Sequence, residues 1–392
     1  MKEVFFAASV RTPIGKFGGT LKDWTAADLA VPVVQESLRR AGLQPSAVDE
    51  VIMGCARQAG GGPNVARQIS YRAGIPETVP AYTVNKACGS GLKAVILAAQ
   101  EIMLGRAHCI IAGGTESMSR VPYLAEGTRW GLRMGNAALV DGMYRDGFLD
   151  PLSDQVMGET AETLARQYDI SRREQDEYAL RSQLRAEAAT NAERFLSEVV
   201  TLLIADGHCA EGYFTDEHIR MGATIEAMAK LPPVFDKDGT VTAGNSSGIT
   251  DGAAALLVLS DELVESHNLT PQARLVDYEI AGVDPRVMGI GPVPAIRKLL
   301  ARRKLTLADI GLVELNEAFA AQVLACDREL HFDPERLNVN GGAIALGHPI
   351  GCTGARILTT LMHEMQRRKV RYGLATLCIS GGMGITLLVE RV

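Results

Sequence analysis

Short apolar runs alternate with stretches of helical periodicity through the first third of the chain. Residues 4–9 and 51–54 are apolar runs of strand length. Residues 26–40 and 64–73 place apolar side chains at helical spacing, and Gly42 stands where the first of these helices is predicted to end. Strands that alternate with helices are typical of a parallel sheet with crossover helices, so the pattern predicts an α/β fold.

The order of predicted elements returns in the last third of the chain. Residues 33–54 align without a gap on residues 295–316, and the segment Cys88-Gly89-Ser90-Gly91 is echoed by Gly351-Cys352-Thr353-Gly354. After each segment come a helical pattern, an apolar strand and a glycine pair, which is Gly113-Gly114 in the first copy and Gly381-Gly382 in the second. An internal repeat of this length predicts two similar α/β halves with a site between them.

The region between the two halves has a different character. Residues 119–248 are richer in charge and long loops, with helices predicted near 158–168 and 172–195. Ser171 stands three residues before Glu174, which predicts a capping box at the second helix. We interpret the region as an inserted loop or lid domain. The expected boundaries are 1–118 plus 249–270 for the first half, 119–248 for the lid and 271–392 for the second half.

Composition excludes several classes of protein. The chain has 392 residues, 47% of them hydrophobic and 22% charged, and its net charge of −6 comes without a basic stripe, so no nucleic-acid partner is expected. Its apolar runs are shorter than the roughly 18 residues that a membrane span needs. Seven cysteines, odd in number and widely spaced, predict free thiols in a reducing, cytoplasmic compartment, and without a C-x-x-C pair no metal site is expected.

Cys88 is the first candidate for chemistry. The glycines at 89 and 91 predict a tight turn that opens a helix, and the positive end of a helix dipole favours a thiolate. A cysteine in that position is suited to nucleophilic catalysis. The alternative is that Cys88 is a small buried hydrophobic residue, as most free cysteines are.

The second half contributes three further candidates. Asn316 follows the predicted strand 312–315, His348 lies in a glycine-rich turn, and Cys378 ends the predicted strand 374–377. Such strand ends are where α/β proteins place their sites. Each residue also has a structural interpretation, as a cap, a satisfied histidine or a packed thiol. The glycine-rich run 341–354 lacks the spacing of a phosphate-binding loop.

Together these stretches resemble the thiolase family. The segment around Cys88 resembles the family's acyl-enzyme motif, and three later segments resemble its other motifs: Asn316-Glu317-Ala318-Phe319, residues 340–354, and Cys378-Ile379-Ser380-Gly381-Gly382-Met383-Gly384. The resemblance also includes Arg11-Thr12-Pro13. It implies the thiolase fold, with two βαβαβαββ halves in a five-layered α-β-α-β-α core and a loop domain. It also implies a homo-oligomer, either a dimer or a dimer of dimers.

The resemblance implies acyl transfer between coenzyme A thioesters, with coenzyme A and acetyl-CoA as substrates and no permanently bound cofactor. Cys88 would carry the acyl group, His348 would activate the Cys88 thiol, and Cys378 would act as acid and base. His348 and a water on Asn316 would form one oxyanion hole. The backbone N–H groups of Cys88 and Ser380 would form the other.

The resemblance also implies where the substrate lies. Coenzyme A would contact Ser247, Arg220, Leu231, Phe235, Ala243, Ala318 and Phe319, and the acyl pocket would include Met157, Met288 and Val156. Val156 stands where short-chain members of the family carry histidine, and Ser380 replaces a glycine, although serine tolerates positive φ poorly. A ketoacyl-synthase-like condensing enzyme and a non-catalytic acyl-CoA-binding relative are the alternatives.

Overall fold

The computed structural model describes residues 2–205 and 210–392, so Cys209, one of the seven predicted free thiols, lies outside the described residues. The first half begins with alternating strands and helices, as the apolar pattern predicts. Its strands are β1 (Val4–Arg11), β2 (Gly15–Lys16), β3 (Glu50–Gly54), β4 (Ala81–Val84) and β5 (Cys109–Ser117). Its helices are α1 (Ala26–Ala41), α2 (Val65–Arg72) and α3 (Ser90–Met103).

The region after β5 consists of short hairpins and two longer helices. Its strands pair consecutively as β6 (Tyr123–Leu124) with β7 (Val140–Asp141), β8 (Leu149–Asp150) with β9 (Gln155–Val156), and β10 (Leu202–Ala205) with β11 (Ala210–Tyr213). Its helices are α4 (Met157–Gln167), α5 (Arg172–Asn191) and α6 (Ile225–Ala229). The predicted capping box of α5 is confirmed, because Ser171 and Glu174 each accept a hydrogen bond from the other's backbone N–H.

The chain then returns to the first sheet and builds the second half. The remaining strands are β12 (Thr250–Ser260), β13 (Ala273–Gly282), β14 (Leu312–Leu315), β15 (Tyr372–Ile379) and β16 (Met383–Arg391). The remaining helices are α7 (Asp261–Ser266), α8 (Pro292–Arg303), α9 (Ala320–Leu330), α10 (Ala343–Leu346) and α11 (Ile350–Arg368). In the part of the chain that the structure describes, no helix combines the length and the apolar character that crossing a membrane requires.

The two halves share one strand order. The first sheet runs β4-β3-β5-β12-β1 and the second runs β14-β15-β16-β13, with β1 and β13 joined only through Phe5–Arg274 and Phe6–Ala273. A single bridge between Val313 and Leu337 takes the place of the β3–β4 pairing in the second half. The predicted pair of βαβαβαββ halves is therefore confirmed.

The buried side chains show five layers. Helices α3 and α11 pack against each other between the two sheets, and one cluster joins Leu92 and Leu358 to Leu256 of the first sheet and Leu377 of the second. Helices α1 and α2 cover the outer face of the first sheet, and α8 and α9 cover that of the second. This is the predicted α-β-α-β-α core, and it brings the ends of both central helices together.

The gap-free alignment of the halves holds at the level of single residues. Helices α1 and α8 end at positions 262 apart, and the residues that follow, Gly42 and Lys304, both adopt left-handed backbone with φ of 69° and 54°. A left-handed residue closes a helix end by hydrogen-bonding its final carbonyls. A lysine can adopt left-handed backbone at a small cost in free energy. The two halves therefore keep the same backbone geometry at this position although the residue differs.

The predicted equivalence of the two glycine pairs is wrong. Gly113 and Gly114 lie inside β5, which continues to Ser117, whereas Gly381 and Gly382 form the turn after β15 with φ of 82° and 80°. A Cβ at Gly113 would lie 2.1 Å from the carbonyl oxygen of Ala254, and one at Gly114 would lie 2.0 Å from that of Gly351. The first pair is thus required by close packing and the second by backbone conformation.

Candidate active site

A cavity of about 500 Å³ lies where the two halves meet the inserted region. Its wall includes Cys88, His348, Cys378 and Ser380, which come from three separate stretches of the chain. Most of the predicted substrate contacts also line it, namely Val156, Met157, Arg220, Phe235, Ala243, Ser247, Met288, Ala318 and Phe319. Two predicted residues do not line the cavity: Leu231 packs over Gly244, and Asn316 is buried behind His348.

The turn before α3 presents the Cys88 thiol to this cavity. The Ser90 hydroxyl accepts a hydrogen bond from the Lys86 N–H at 2.8 Å and donates to the Ala87 carbonyl at 2.7 Å, while Ala87 itself has a φ of 45°. Gly89 lets Ile379 approach, because a Cβ there would lie 2.5 Å from the Ile379 Cδ1. The strained turn thereby holds Cys88 against the end of β15.

The Cys88 thiol is neutral in the free protein. Burial raises the pKa of Cys88, and this outweighs the opposing effects of the Arg57 charge and of the backbone N–H groups of Ser380 and Cys88. The backbone N–H groups at the helix terminus thus favour the thiolate as expected, but burial outweighs them. The same N–H groups nevertheless point at the sulfur, where they can also stabilise an oxyanion formed at a bound acyl group.

His348 has a defined tautomer. Its Nδ1 lies 2.6 Å from the Thr353 hydroxyl oxygen, and that hydroxyl donates its own hydrogen to the Pro349 carbonyl at 3.0 Å. The hydroxyl must therefore accept from Nδ1–H, which leaves Nε2 without a proton. Burial, with smaller effects of the Arg356 and Arg57 charges, lowers the pKa of His348 to about 3. His348 is thus a neutral base at physiological pH.

Asn316 presents its amide to the inner side of this imidazole. Its Nδ2 lies 3.5 Å from the His348 Nε2, and its backbone N–H donates to the Thr376 carbonyl at 3.0 Å. Its Oδ1 is buried and has no hydrogen-bond partner among the described residues. A buried acceptor of this kind is suited to holding a water molecule.

Cys378 lies in β15, one residue before the strand ends at Ile379, so the strand is longer than predicted. It is 1% exposed and packs in an apolar cluster with Met288 and Phe319. Burial raises the pKa of Cys378 well above its ordinary value, and the neighbouring thiols of Cys88 and Cys326 raise it further. Two neutral thiols and a neutral imidazole therefore face one largely apolar cavity.

The inserted region fixes the turn that carries Ser380. The Gly381 N–H donates to the Asp150 carboxylate at 3.0 Å, and Asp150 lies at the end of β8 and is 4% exposed. Positive φ falls on Gly381 and Gly382 and not on Ser380. A serine at 380 therefore keeps the N–H in place without backbone strain.

Sequence reasoning missed three residues at this site. Thr353 orients His348, Arg57 lines the cavity, and the buried Glu116 carboxylate accepts backbone N–H groups from Arg57 at 2.9 Å and Gly351 at 2.8 Å. Arg57 follows the end of β3 by three residues, so the strand-end rule that selected Asn316 could have found it. Nothing in the sequence pattern marks Thr353 as the partner of His348.

We expect alkylation of Cys88 by iodoacetamide to accelerate continuously as pH rises from about 5 to about 10. The thiolate is the reacting form, and burial raises the pKa of Cys88, so its ionised fraction grows mainly in the alkaline range. His348, with a pKa of about 3, contributes no inflection near its ordinary value. Mass spectrometry of Cys88 modification would measure the rates. A plateau reached already near neutrality would show a thiolate–imidazolium pair and contradict the expectation.

Residues 2–205 and 210–392 contain no group of three or more histidine, cysteine, aspartate or glutamate side chains placed to hold a metal ion.

Comparison with known proteins gives matches over the whole chain. The model of the thiolase N-terminal domain matches residues 4–262, and that of the thiolase C-terminal domain matches residues 269–391. An acetyl-CoA acetyltransferase of Cupriavidus necator is 52% identical over 392 residues, and a probable acetyl-CoA acyltransferase of Staphylococcus aureus is 49% identical, each match covering 100% of both chains.

Solved structures agree with the fold described above. The crystal structure of human mitochondrial 3-ketoacyl-CoA thiolase has a TM-score of 0.97 at 44% identity, covering 100% of this chain and 99% of that one. The Bacillus anthracis acetyl-CoA acetyltransferase has a TM-score of 0.98 at 47% identity over the same shares. With both domain models matched and both halves of the fold reproduced, the chain belongs to the thiolase family.

Proposed function

We propose that this protein is an acetyl-CoA C-acyltransferase that makes or cleaves a short 3-ketoacyl-CoA, acetoacetyl-CoA foremost. The observation that carries the proposal is the convergence of the Cys88 and Cys378 thiols and the neutral His348 on one cavity. A ketoacyl-synthase-like enzyme would not need the second thiol. A non-catalytic relative would need neither thiol nor the oriented imidazole.

In the proposed first step the Cys88 thiol gives its proton to the His348 Nε2, and its sulfur attacks the thioester carbonyl of the acyl donor. The backbone N–H groups of Cys88 and Ser380 stabilise the negative charge on the carbonyl oxygen. The departing coenzyme A thiolate takes the proton of the Cys378 thiol. The products are acyl-Cys88, an imidazolium at His348 and a thiolate at Cys378.

In the second step the Cys378 thiolate removes a proton from the carbon next to the thioester carbonyl of an incoming acetyl-CoA. The His348 imidazolium and a water on the Asn316 Oδ1 stabilise the enolate oxygen. The carbanion attacks the acyl-Cys88 carbonyl, and the released Cys88 thiolate recovers its proton from His348. Each group returns to its starting state, and the reverse sequence is thiolytic cleavage.

Apolar side chains support the binding of coenzyme A along one wall of the cavity, and we propose that it binds as a substrate. Phe235 and Phe319 meet edge to face with ring centroids 6.1 Å apart, and Ser247 is held beside them by its N–H bond to the Ala318 carbonyl. We assign the pantetheine arm to this wall and the adenine end to Arg220. Leu231 supports the wall from behind, through Gly244, instead of touching the arm.

Chain length is tested by coenzyme A-dependent cleavage of acetoacetyl-CoA beside a medium-chain 3-ketoacyl-CoA. Met157, Met288 and Val156 line the cavity, and the side chain of Val156 is smaller than the histidine of short-chain relatives. Although Val156 leaves more room than a histidine would, we expect acetoacetyl-CoA to be cleaved with the higher kcat/KM, because the chain is 52% identical to an acetyl-CoA acetyltransferase. A higher value for the medium-chain substrate would assign the protein to the degradative 3-ketoacyl-CoA thiolases. Folded protein that cleaves neither substrate would overturn the proposal.

Thr353→Val is expected to lower kcat about 10- to 100-fold, because His348 Nδ1–H loses the acceptor that fixes its tautomer. Thr353 is fully buried and does not line the cavity, so the KM for each substrate should change little. Thr353→Ser keeps the hydroxyl and should restore most of kcat. Steady-state kinetics on the two variants checks this, and equal losses in both would show that Thr353 acts through packing alone.

Exposed apolar side chains support the predicted homo-oligomer, a dimer or a dimer of dimers. Trp130 and Met134 are 90% and 96% exposed, and Tyr123 on β6 is exposed beside them along the chain. Apolar surface of this kind marks sites of association. Light scattering of the purified protein measures the state directly.

We propose the first half at 1–118 plus 249–270, the inserted domain at 119–248 and the second half at 271–392. The return of β12 to the first sheet supports this division. The six cysteines in the described residues are free, which supports the predicted cytoplasmic location.

A further inference from the structure

Arg57 brings a positive charge to the reacting end of the cavity. Its side chain lines the cavity together with Cys88 and His348, and its charge lowers the pKa of both. Its Nε is buried without a hydrogen-bond acceptor, and its guanidinium forms no ion pair with the carboxylates of the described residues. A guanidinium in such a place costs free energy unless something compensates it.

The nearest buried carboxylate, Glu116, compensates this charge only through space: the Arg57 charge lowers the pKa of Glu116, but no Glu116 oxygen lies within 4.0 Å of a guanidinium nitrogen. Glu116 is fully buried, and its oxygens accept the backbone N–H groups of Ala56, Arg57 and Gly351 at 3.0, 2.9 and 2.8 Å. Glu116 therefore fixes the backbone of Arg57 relative to the start of α11. The guanidinium itself stays available to a ligand, while the hydrogen bond to Glu116 fixes the Arg57 backbone.

The surroundings of Arg57 are apolar and closely fitted. Met118, Phe148 and Ile350 line the same part of the cavity and belong to one apolar cluster with Cys88. The backbone of Gly147 lies against the guanidinium, since a Cβ there would come within 2.8 Å of Nε and 2.9 Å of Nη2. The inserted region thus closes over Arg57, and a ligand reaches it through the cavity that contains Cys88.

We propose that Arg57 binds a carboxylate at the far end of the acyl chain, so that the enzyme accepts 3-ketoacyl-CoA substrates with a terminal carboxylate. A guanidinium presents a planar pair of donors that matches a carboxylate. The phosphates of coenzyme A are separated from the reacting sulfur by the whole pantetheine arm, so beside Cys88 the anionic group belongs to the acyl chain. This inference rests on the proposed thiolase function and names a substrate class for it.

The test compares thiolysis of two 3-ketoacyl-CoA substrates of equal chain length, one ending in a carboxylate and one in a methyl group. We expect Arg57→Leu to lower the ratio of their kcat/KM values, carboxylate over methyl, by about 100-fold. Arg57→Lys keeps the charge but loses the paired donors, so it should give an intermediate ratio. If Arg57→Leu does not fold, Arg57→Gln replaces it in the comparison.

Arg220→Leu is the matched control, because it removes an arginine from the part of the cavity assigned to coenzyme A. It should lower kcat/KM for both substrates and leave their ratio unchanged. A parallel loss on both substrates in Arg57→Leu would show that Arg57 acts on the Cys88 thiol and would overturn the proposal. An unchanged ratio would overturn it too. Wild-type cleavage of acetoacetyl-CoA is scored separately, so failure of the thiolase function is distinguished from failure of the carboxylate site.

Discussion

Cys88→Ala is expected to reduce cleavage of acetoacetyl-CoA by more than about four orders of magnitude, because no other group at the site can carry the acyl chain. The neighbouring Cys378 is 1% exposed, and burial, with a smaller effect of the thiols around it, raises its pKa further than that of Cys88, which disfavours it as a substitute nucleophile. Intact-protein mass spectrometry after mixing with acetyl-CoA should show an acetyl adduct on the wild type and none on Cys88→Ala.

Cys352→Ala is the matched control for this loss. Cys352 stands in the segment of the second half that echoes Cys88, but it is 1% exposed, packs between Ala254 and Ala355, and burial raises its pKa to about 12. We expect this variant to keep both the acetyl adduct and most of the thiolysis rate. An acetyl adduct that persists in Cys88→Ala and disappears in Cys352→Ala would show that the nucleophile is Cys352 in the second half, and would contradict the assignment to Cys88.

The fold could be predicted from sequence to the extent that it depends on local pattern and repetition. Strand β14 begins and ends where the apolar run does, and the capping box at Ser171 has its predicted partners. The common offset between the halves places Gly42 and Lys304 in the same left-handed conformation. Side-chain period and capping residues act within a few positions, so one sequence is enough to recognise them.

Features that depend on approach between distant segments could not be predicted in the same way. Glycine is common in turns, so the sequence suggests a turn at Gly113. Only the position of β12 shows that Gly113 lies inside a strand, where the neighbouring backbone leaves no room for a Cβ. The sequence also does not predict the direction in which the pKa of Cys88 shifts. A helix terminus can be recognised from sequence, but the burial that outweighs its effect on the pKa cannot. Asp150 acts on Gly381 from 231 residues away.

Cys378→Ala should separate the two half-reactions. The variant retains Cys88, His348 and the oxyanion N–H groups. Solvent can protonate the departing coenzyme A thiolate in place of Cys378, so the acetyl adduct should still form, more slowly, when the variant is mixed with acetyl-CoA. It lacks the group that moves a proton on the carbon next to the thioester carbonyl. We therefore expect condensation and thiolysis to fall by about 10³- to 10⁴-fold or more, with the adduct accumulating instead of turning over.

Exchange of the methyl protons of acetyl-CoA with deuterated water measures the missing step directly. Wild type should catalyse the exchange and Cys378→Ala should not. Cys326→Ala removes a neighbouring buried thiol whose Sγ lies 3.3 Å from the Gly289 carbonyl oxygen, and it should exchange at a rate near that of wild type. Exchange that survives in Cys378→Ala would move the acid–base role to His348. A missing adduct in this variant would show that solvent cannot replace Cys378 as the acid that protonates the departing coenzyme A.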